Sequence, residues 1–129
     1  MTHRLPVRVY YEDTDMAGIV YYANYLKYIE RARSELVEEM GMNQREMRDE
    51  QGIVFVVRRV EADYLKPARI DDRLEVVTTH EAVSPMRWVF DQDVQREGVS
   101  LFRAKVTAVC MTVDGKPTRL PAELRAKMS

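Results

Sequence analysis

Apolar and polar positions change period along this chain, and the change marks out its elements. Leu5 to Tyr11 (LPVRVYY) alternates, with Val7 and Val9 on one face, and reads as a short strand. An acid-rich loop, Glu12 to Gly18, follows. From Asn24 the spacing becomes helical: Tyr25, Leu26, Tyr28, Ile29, Ala32, Leu36, Val37 and Met40 share one side, opposite Lys27, Glu30, Arg31, Ser34 and Glu38. Arg33 and Glu39 intrude on the apolar arc. Gly41 stands where a helix C′ residue belongs, so this is a long amphipathic helix of about five turns. Asn43 with Glu46 resembles a capping box and predicts a short helix from Gln44 to Glu50, stopped near Gly52.

The rest of the chain has period two. Strands are expected over Ile53 to Lys66, Arg73 to Val83, Met86 to Gln95 and Val99 to Val113, with turns at Arg96-Glu97-Gly98 and Asp114-Gly115. Phe102, Ala104, Val106, Ala108 and Cys110 share a face, and the small residues among them suit a strand pressed against the helix. Sequential strands joined by tight turns are antiparallel neighbours, and one sheet face can cover the helix. The expected fold class is α+β, in one domain spanning 1–129.

Composition narrows the function classes. The 129 residues are 46% hydrophobic and 32% charged, as in an ordinary globular domain. Twenty-one acids against 20 bases leave a net charge of −1, no general reason to bind nucleic acid or an anionic membrane. One cysteine, Cys110, permits no internal disulfide, and Met1 to Pro6 lacks the apolar stretch of a signal peptide, so a reducing cytoplasm is expected. No apolar run approaches the roughly 18 residues of a membrane span.

Few residues can carry chemistry. There is no phosphate loop, no GxSxG elbow and no HExxH. The histidines, His3 in a frayed terminus and His80 mid-strand, read as structural or surface residues, and Cys110 as core. The acid loop remains, with Glu12, Asp13 and Asp15. It is either an Asx-rich turn or a working site. Gly18 allows an unusual backbone or a close ligand approach, and the loop leads into a helix N-terminus whose free N–H groups can hold an oxyanion. A carboxylate beside such donors suffices for acyl transfer.

The stretch RVYYEDTDMAGIVYYANYLKYIERAR, Arg8 to Arg33, resembles the signature of the 4-hydroxybenzoyl-CoA thioesterase family. Ala62 to Val76 (ADYLKPARIDDRLEV) and Lys116 to Pro121 (KPTRLP) resemble its subgroup of acyl-CoA thioesterases associated with the bacterial Tol-Pal envelope system. The resemblance implies a hotdog fold, a long central helix wrapped by a curved antiparallel sheet. It implies a homodimer with a continuous sheet, or a homotetramer, with sites between subunits. It makes Asp15 the catalytic aspartate, as general base or nucleophile, and places the oxyanion donor at the backbone N–H of Tyr22 or a neighbour. Gly18 and Val20 match the turn into the helix, and Asn24 and Tyr25 its start, and these four are the substrate-binding residues the resemblance implies there. Many Tol-Pal-type relatives have histidine at the position of Tyr22, where the hydroxybenzoyl type has tyrosine; a tyrosine offers no base at neutral pH. Glu12 and Asp13 then read as turn or solvent residues.

For the phosphates of CoA the candidates are Lys66, Arg69, Arg87, Arg103, Lys105, Lys116 and Arg119, with Lys116 and Arg119 preferred for their matching motif. No metal or cofactor is required. The expected activity is hydrolysis of acyl-CoA to a carboxylic acid and free CoA. The alternative is a non-catalytic hotdog protein that binds acyl carrier protein or an envelope-complex partner.

Overall fold

The computed structural model describes residues 2–128. Strand β1 (His3–Arg8) precedes the long helix α1 (Asn24–Glu39) and the short α2 (Gln44–Glu46), which runs into a π turn, Met47–Gln51. Strands β2 (Ile53–Tyr64), β3 (Arg73–Ala82), β4 (Arg87–Arg96), β5 (Val99–Thr112) and β6 (Pro117–Thr118) follow, and α3 (Ala122–Met128) comes last. The sheet is antiparallel, in the order β1-β3-β4-β5-β2, with β6 on β5.

The helix forms as its pattern predicts. Tyr25, Tyr28, Ile29, Ala32, Leu36, Val37 and Met40 are buried against the sheet, while Leu26 is exposed. Its end is a Schellman motif: Met42 N–H donates to Val37 C=O (3.2 Å) and Gly41 N–H to Glu38 C=O (2.9 Å). Gly41 has φ +88°, and Lys127 Nζ donates to Met40 C=O beside it, capping the negative helix end with a cation. The two intruders on the apolar arc both have partners. Glu39 meets His3 Nε2 at 3.3 Å, and Arg33 reaches Gln92 on β4 at 2.9 Å. Asn43 caps α2 by accepting the Glu46 N–H at 3.0 Å.

Four expectations are corrected. The first strand ends at Arg8 rather than Tyr11, because Tyr11–Asp13 turn as a 3-10 segment with Asp13 Oδ2 accepting the Tyr10 N–H at 2.8 Å. His3 is not frayed: it is buried and paired with Thr78 across β1 and β3. Strands β2 and β3 are consecutive but not neighbours; β2 crosses to the far side and pairs with β5. Finally, the α1 backbone packs over β1, β3 and β4. The small residues of β5 are buried in the same core but are not pressed close to the helix backbone, and Ala108 lines an open space beside it.

That asymmetry shapes the molecule. Phe55, Val57, Val60, Ala62 and Tyr64 on β2 pair with Cys110, Ala108, Val106, Ala104 and Phe102, so all of them share the inner face. A bulge at Arg58 keeps Val57 and Val60 on that same face. Yet Val57 is 43% exposed and Val60 41%, at an edge strand of 12 residues.

Candidate active site

Residues 14–20 form a closed loop, with Thr14 bridged to Val20 and Ile19 bridged to Arg69. Inside it the Asp15 N–H donates to Ile19 C=O (2.9 Å) and the Gly18 N–H to Asp15 C=O (3.0 Å). Gly18 has φ +77° and open space where a Cβ would stand, so it serves the turn through its left-handed backbone. Asp15 is exposed. Its Oδ1 accepts the Ala17 N–H at 2.9 Å, and among the described residues nothing donates to Oδ2.

Asp13 has the opposite surroundings. It is a turn residue but not a solvent one, at 6% exposed. Its Oδ2 takes the Tyr10 N–H, its Oδ1 takes Asn24 Nδ2 at 2.7 Å, and its C=O takes the Tyr21 N–H at 2.9 Å. One residue thereby holds both ends of the loop and the first residue of α1. The Tyr28 hydroxyl lies buried beside Asp13 and Asn24, with no partner in good hydrogen-bond geometry among the described residues. Burial, and then the Asp13 charge, push the Tyr28 pKa far up.

The helix start is the other half of the site. Asn24 N–H bonds back to Tyr21 C=O at 2.8 Å, and Leu26 N–H to Ala23 C=O at 3.1 Å. Among the described residues the N–H groups of Tyr22 and Ala23 have no acceptor. They stand at the positive end of a 16-residue helix. The Tyr22 side chain is exposed; its ring meets Tyr21 and Tyr64 with centroids 5.0 and 6.1 Å apart, and its C=O accepts the Tyr64 hydroxyl at 3.0 Å. Tyr25 is buried, stacked on Phe102 at 4.9 Å, and its hydroxyl takes the Ala68 N–H at 3.1 Å. Burial raises its pKa. Val20 is core, with its N–H on Ala68 C=O at 2.8 Å.

A family profile, the thioesterase-like superfamily, matches residues 9–128. The chain belongs to that superfamily. It is 40% identical over 126 residues to an acyl-CoA thioester hydrolase, YbgC, of Escherichia coli, spanning 96% of this chain and 93% of that one. It is 39% identical over 122 residues to the acyl-CoA thioesterase YbgC of Haemophilus influenzae, covering 94% and 90%. The crystal structure of a probable thioesterase from Bartonella henselae superposes with TM-score 0.89 at 35% identity, covering 94% of this chain and all of that one. The hotdog fold expected from the sequence stands.

In this thioesterase-superfamily chain the sequence-chosen residues fall into two places. Asp15, Gly18, Val20, Tyr22, Asn24 and Tyr25 gather between the acid loop and the start of α1. Lys116 and Arg119 do not join them. They are exposed and flank β6, which pairs with Cys110 and Met111. Phe102, under Tyr25, lies at the other end of β5, roughly 30 Å along the strand. At the Lys116 end a groove of about 630 Å³ on the sheet is lined by Val56, Arg58, Met86, Arg87, Val109 and Pro117, among others. Arg87 was among the sequence candidates; Arg58 was missed, and its only signal is the extra residue it adds between Val57 and Val60. Asp13 was also missed as a buttress, because a capping aspartate and a solvated one look alike in sequence. Among the described residues no cluster of His, Cys, Asp and Glu could hold a metal ion, and no helix is long and apolar enough to cross a membrane.

Proposed function

We propose that this protein hydrolyses acyl-CoA thioesters, giving a carboxylic acid and free CoA, with Asp15 as its catalytic carboxylate. The observation that carries this reading is the exposed Asp15, one oxygen held by the Ala17 N–H and one free, in the loop that feeds the unpaired N–H groups of Tyr22 and Ala23. The carboxylate takes a proton from water or adds to the thioester carbonyl. The helix-start amides hold the negative charge that develops on the carbonyl oxygen. A backbone donor is indifferent to the side chain it belongs to, so a tyrosine at position 22 leaves the oxyanion site intact. The YbgC relatives, which carry the names acyl-CoA thioesterase and acyl-CoA thioester hydrolase, support the substrate class. The chemistry needs no metal or cofactor.

The working unit is a homodimer joined along β2, in the cytoplasm. Strand β2 has one open edge, and its exposed valines lack cover within the chain. Antiparallel pairing of two β2 strands would bring the Ile53 end of one beside the Tyr64 end of the other. The Arg58–Arg87 groove, with Lys116 and Arg119 near it, would then lie toward the partner's acid loop. In that arrangement one subunit contributes the carboxylate and the other the cations that meet the phosphates of CoA.

A thiol-release assay over short, long and aromatic acyl-CoA thioesters tests the reading. Release of CoA from at least one class is expected; release from none would refute it.

A further inference from the structure

A trough lies beside α1, lined on the helix side by Glu30, Arg33, Ser34 and Val37. Helical spacing carries the same row back through Leu26 to Tyr22, just before the helix, at the end of the acid loop. The inner face of β2 forms the other bank, because the helix backbone is displaced toward β1, β3 and β4. The trough deepens into a cavity of about 240 Å³, where Phe55, Val57, Trp88, Phe90 and Ala108 meet Glu30, Arg33 and Ser34. Glu30 is seven and eight residues beyond the free amides of Ala23 and Tyr22, roughly 11–12 Å along the helix axis.

Apolar walls around a cation make this cavity unusual. Arg33 NH1 donates to Gln92 Oε1 at 2.9 Å. Gln92 is 2% exposed, and its Nε2 donates to Ile29 C=O (2.9 Å) and Thr78 Oγ1 (3.1 Å). Those two acceptors fix the amide orientation, so its oxygen must face the arginine. The guanidinium is therefore anchored at the cavity wall. Its remaining N–H groups have no hydrogen-bond acceptor among the described residues; Glu30, whose Oε2 accepts Ser34 Oγ at 2.7 Å, is close enough for its charge to act on Arg33 but makes no hydrogen bond to it. A hydrocarbon tail placed here would strip water from Arg33 and return nothing. A tail with an oxygen at its end would accept from it.

We propose that the cavity receives the far end of the acyl group, and that Arg33, held by Gln92, selects acyl groups bearing a hydrogen-bond acceptor oxygen there over plain hydrocarbon chains. This rests on the thioesterase reading above. The expected preference in kcat/KM is on the order of 10- to 100-fold.

The test compares hexanoyl-, 6-hydroxyhexanoyl- and adipoyl-CoA, assayed by CoA release with the full-length protein, Arg33→Met and Gln92→Leu. The wild type should favour the oxygen-bearing pair. Arg33→Met should erase that preference, mainly by raising turnover of hexanoyl-CoA, and Gln92→Leu should weaken it. Adipoyl below 6-hydroxyhexanoyl would identify a neutral hydroxyl as the preferred oxygen, with Glu30 repelling the carboxylate; the reverse order would identify the anion. Hydrolysis of all three with a ratio unchanged in Arg33→Met overturns this inference and leaves the thioesterase reading standing. A change of oligomeric state in Arg33→Met, seen by light scattering with an unchanged ratio, also overturns it and makes Arg33 a subunit contact. Hydrolysis of no thioester overturns both.

Discussion

Asn24, the first residue of α1, donates its side-chain amide to the buried Oδ1 of Asp13 over 2.7 Å. That contact fixes the acid loop to the helix whose free amides complete the site. Asp13→Ala leaves the buried Asn24 amide and the half-buried Tyr10 N–H without their acceptor. We expect a loss of about 1–3 kcal/mol in urea unfolding, together with a fall in kcat. A variant as stable as the wild type would show that Asp13 does not hold the loop.

The apolar inner face of β2 predicts its own sensitivity. Val60→Glu adds a charge to a face that the dimer would bury, while the isolated chain leaves that position 41% exposed. Light scattering should show the wild type as a dimer or a tetramer and the variant shifted toward monomer, with activity lost in parallel. A wild-type monomer that remains active would contradict a site shared between subunits.

Arg87 lines the groove at the end of the sheet away from the acid loop. If that groove takes the phosphates of CoA, Arg87→Ala raises KM about tenfold and leaves kcat near wild type. Added salt should narrow the difference, since the interaction is ionic. An unchanged KM would leave Arg87 as a surface charge.

Trp88 Nε1 donates to His80 Nδ1 at 3.0 Å, so the fold stabilises the imidazole with a free lone pair there. Burial lowers the His80 pKa below its ordinary value near 6.5. A folded pKa below the unfolded one gives stability that is full above about pH 6.5 and is lost as pH falls through the folded value. Urea unfolding at pH 8 and pH 5 should therefore show a larger loss for the wild type than for His80→Gln. Equal losses would remove His80 from the acid response.

Much of this fold is legible in the alternation of the chain, because burial sets that alternation directly. The long helix, its Gly41 stop and the faces of β3, β4 and β5 all follow from it. The order of strands does not: an apolar face on β2 is the same whether its neighbour is β3 or β5, and only the fold decides for β5. Asp15 was legible through its motif, and Gly18 through the turn it permits. The preferred cations, Lys116 and Arg119, were chosen by motif alone, and a motif says nothing of the roughly 30 Å of strand between them and the acid loop. Arg33 was visible as a flaw in an apolar arc. Its meaning depends on Gln92, a polar residue in the apolar register between Phe90 and Val94, and only the packing of α1 on β4 brings the two together.

Asp15 carries the central claim. It is exposed and, among the described residues, makes one side-chain hydrogen bond, to its own loop, so Asp15→Asn keeps the shape and removes the charge at little cost in stability. The most direct measurement is the rate of CoA release by wild type and Asp15→Asn, on the best acyl-CoA substrate, with both proteins shown to unfold at similar urea concentrations. The account predicts a fall in kcat of about 100-fold or more with the fold intact. Full activity in Asp15→Asn would contradict it.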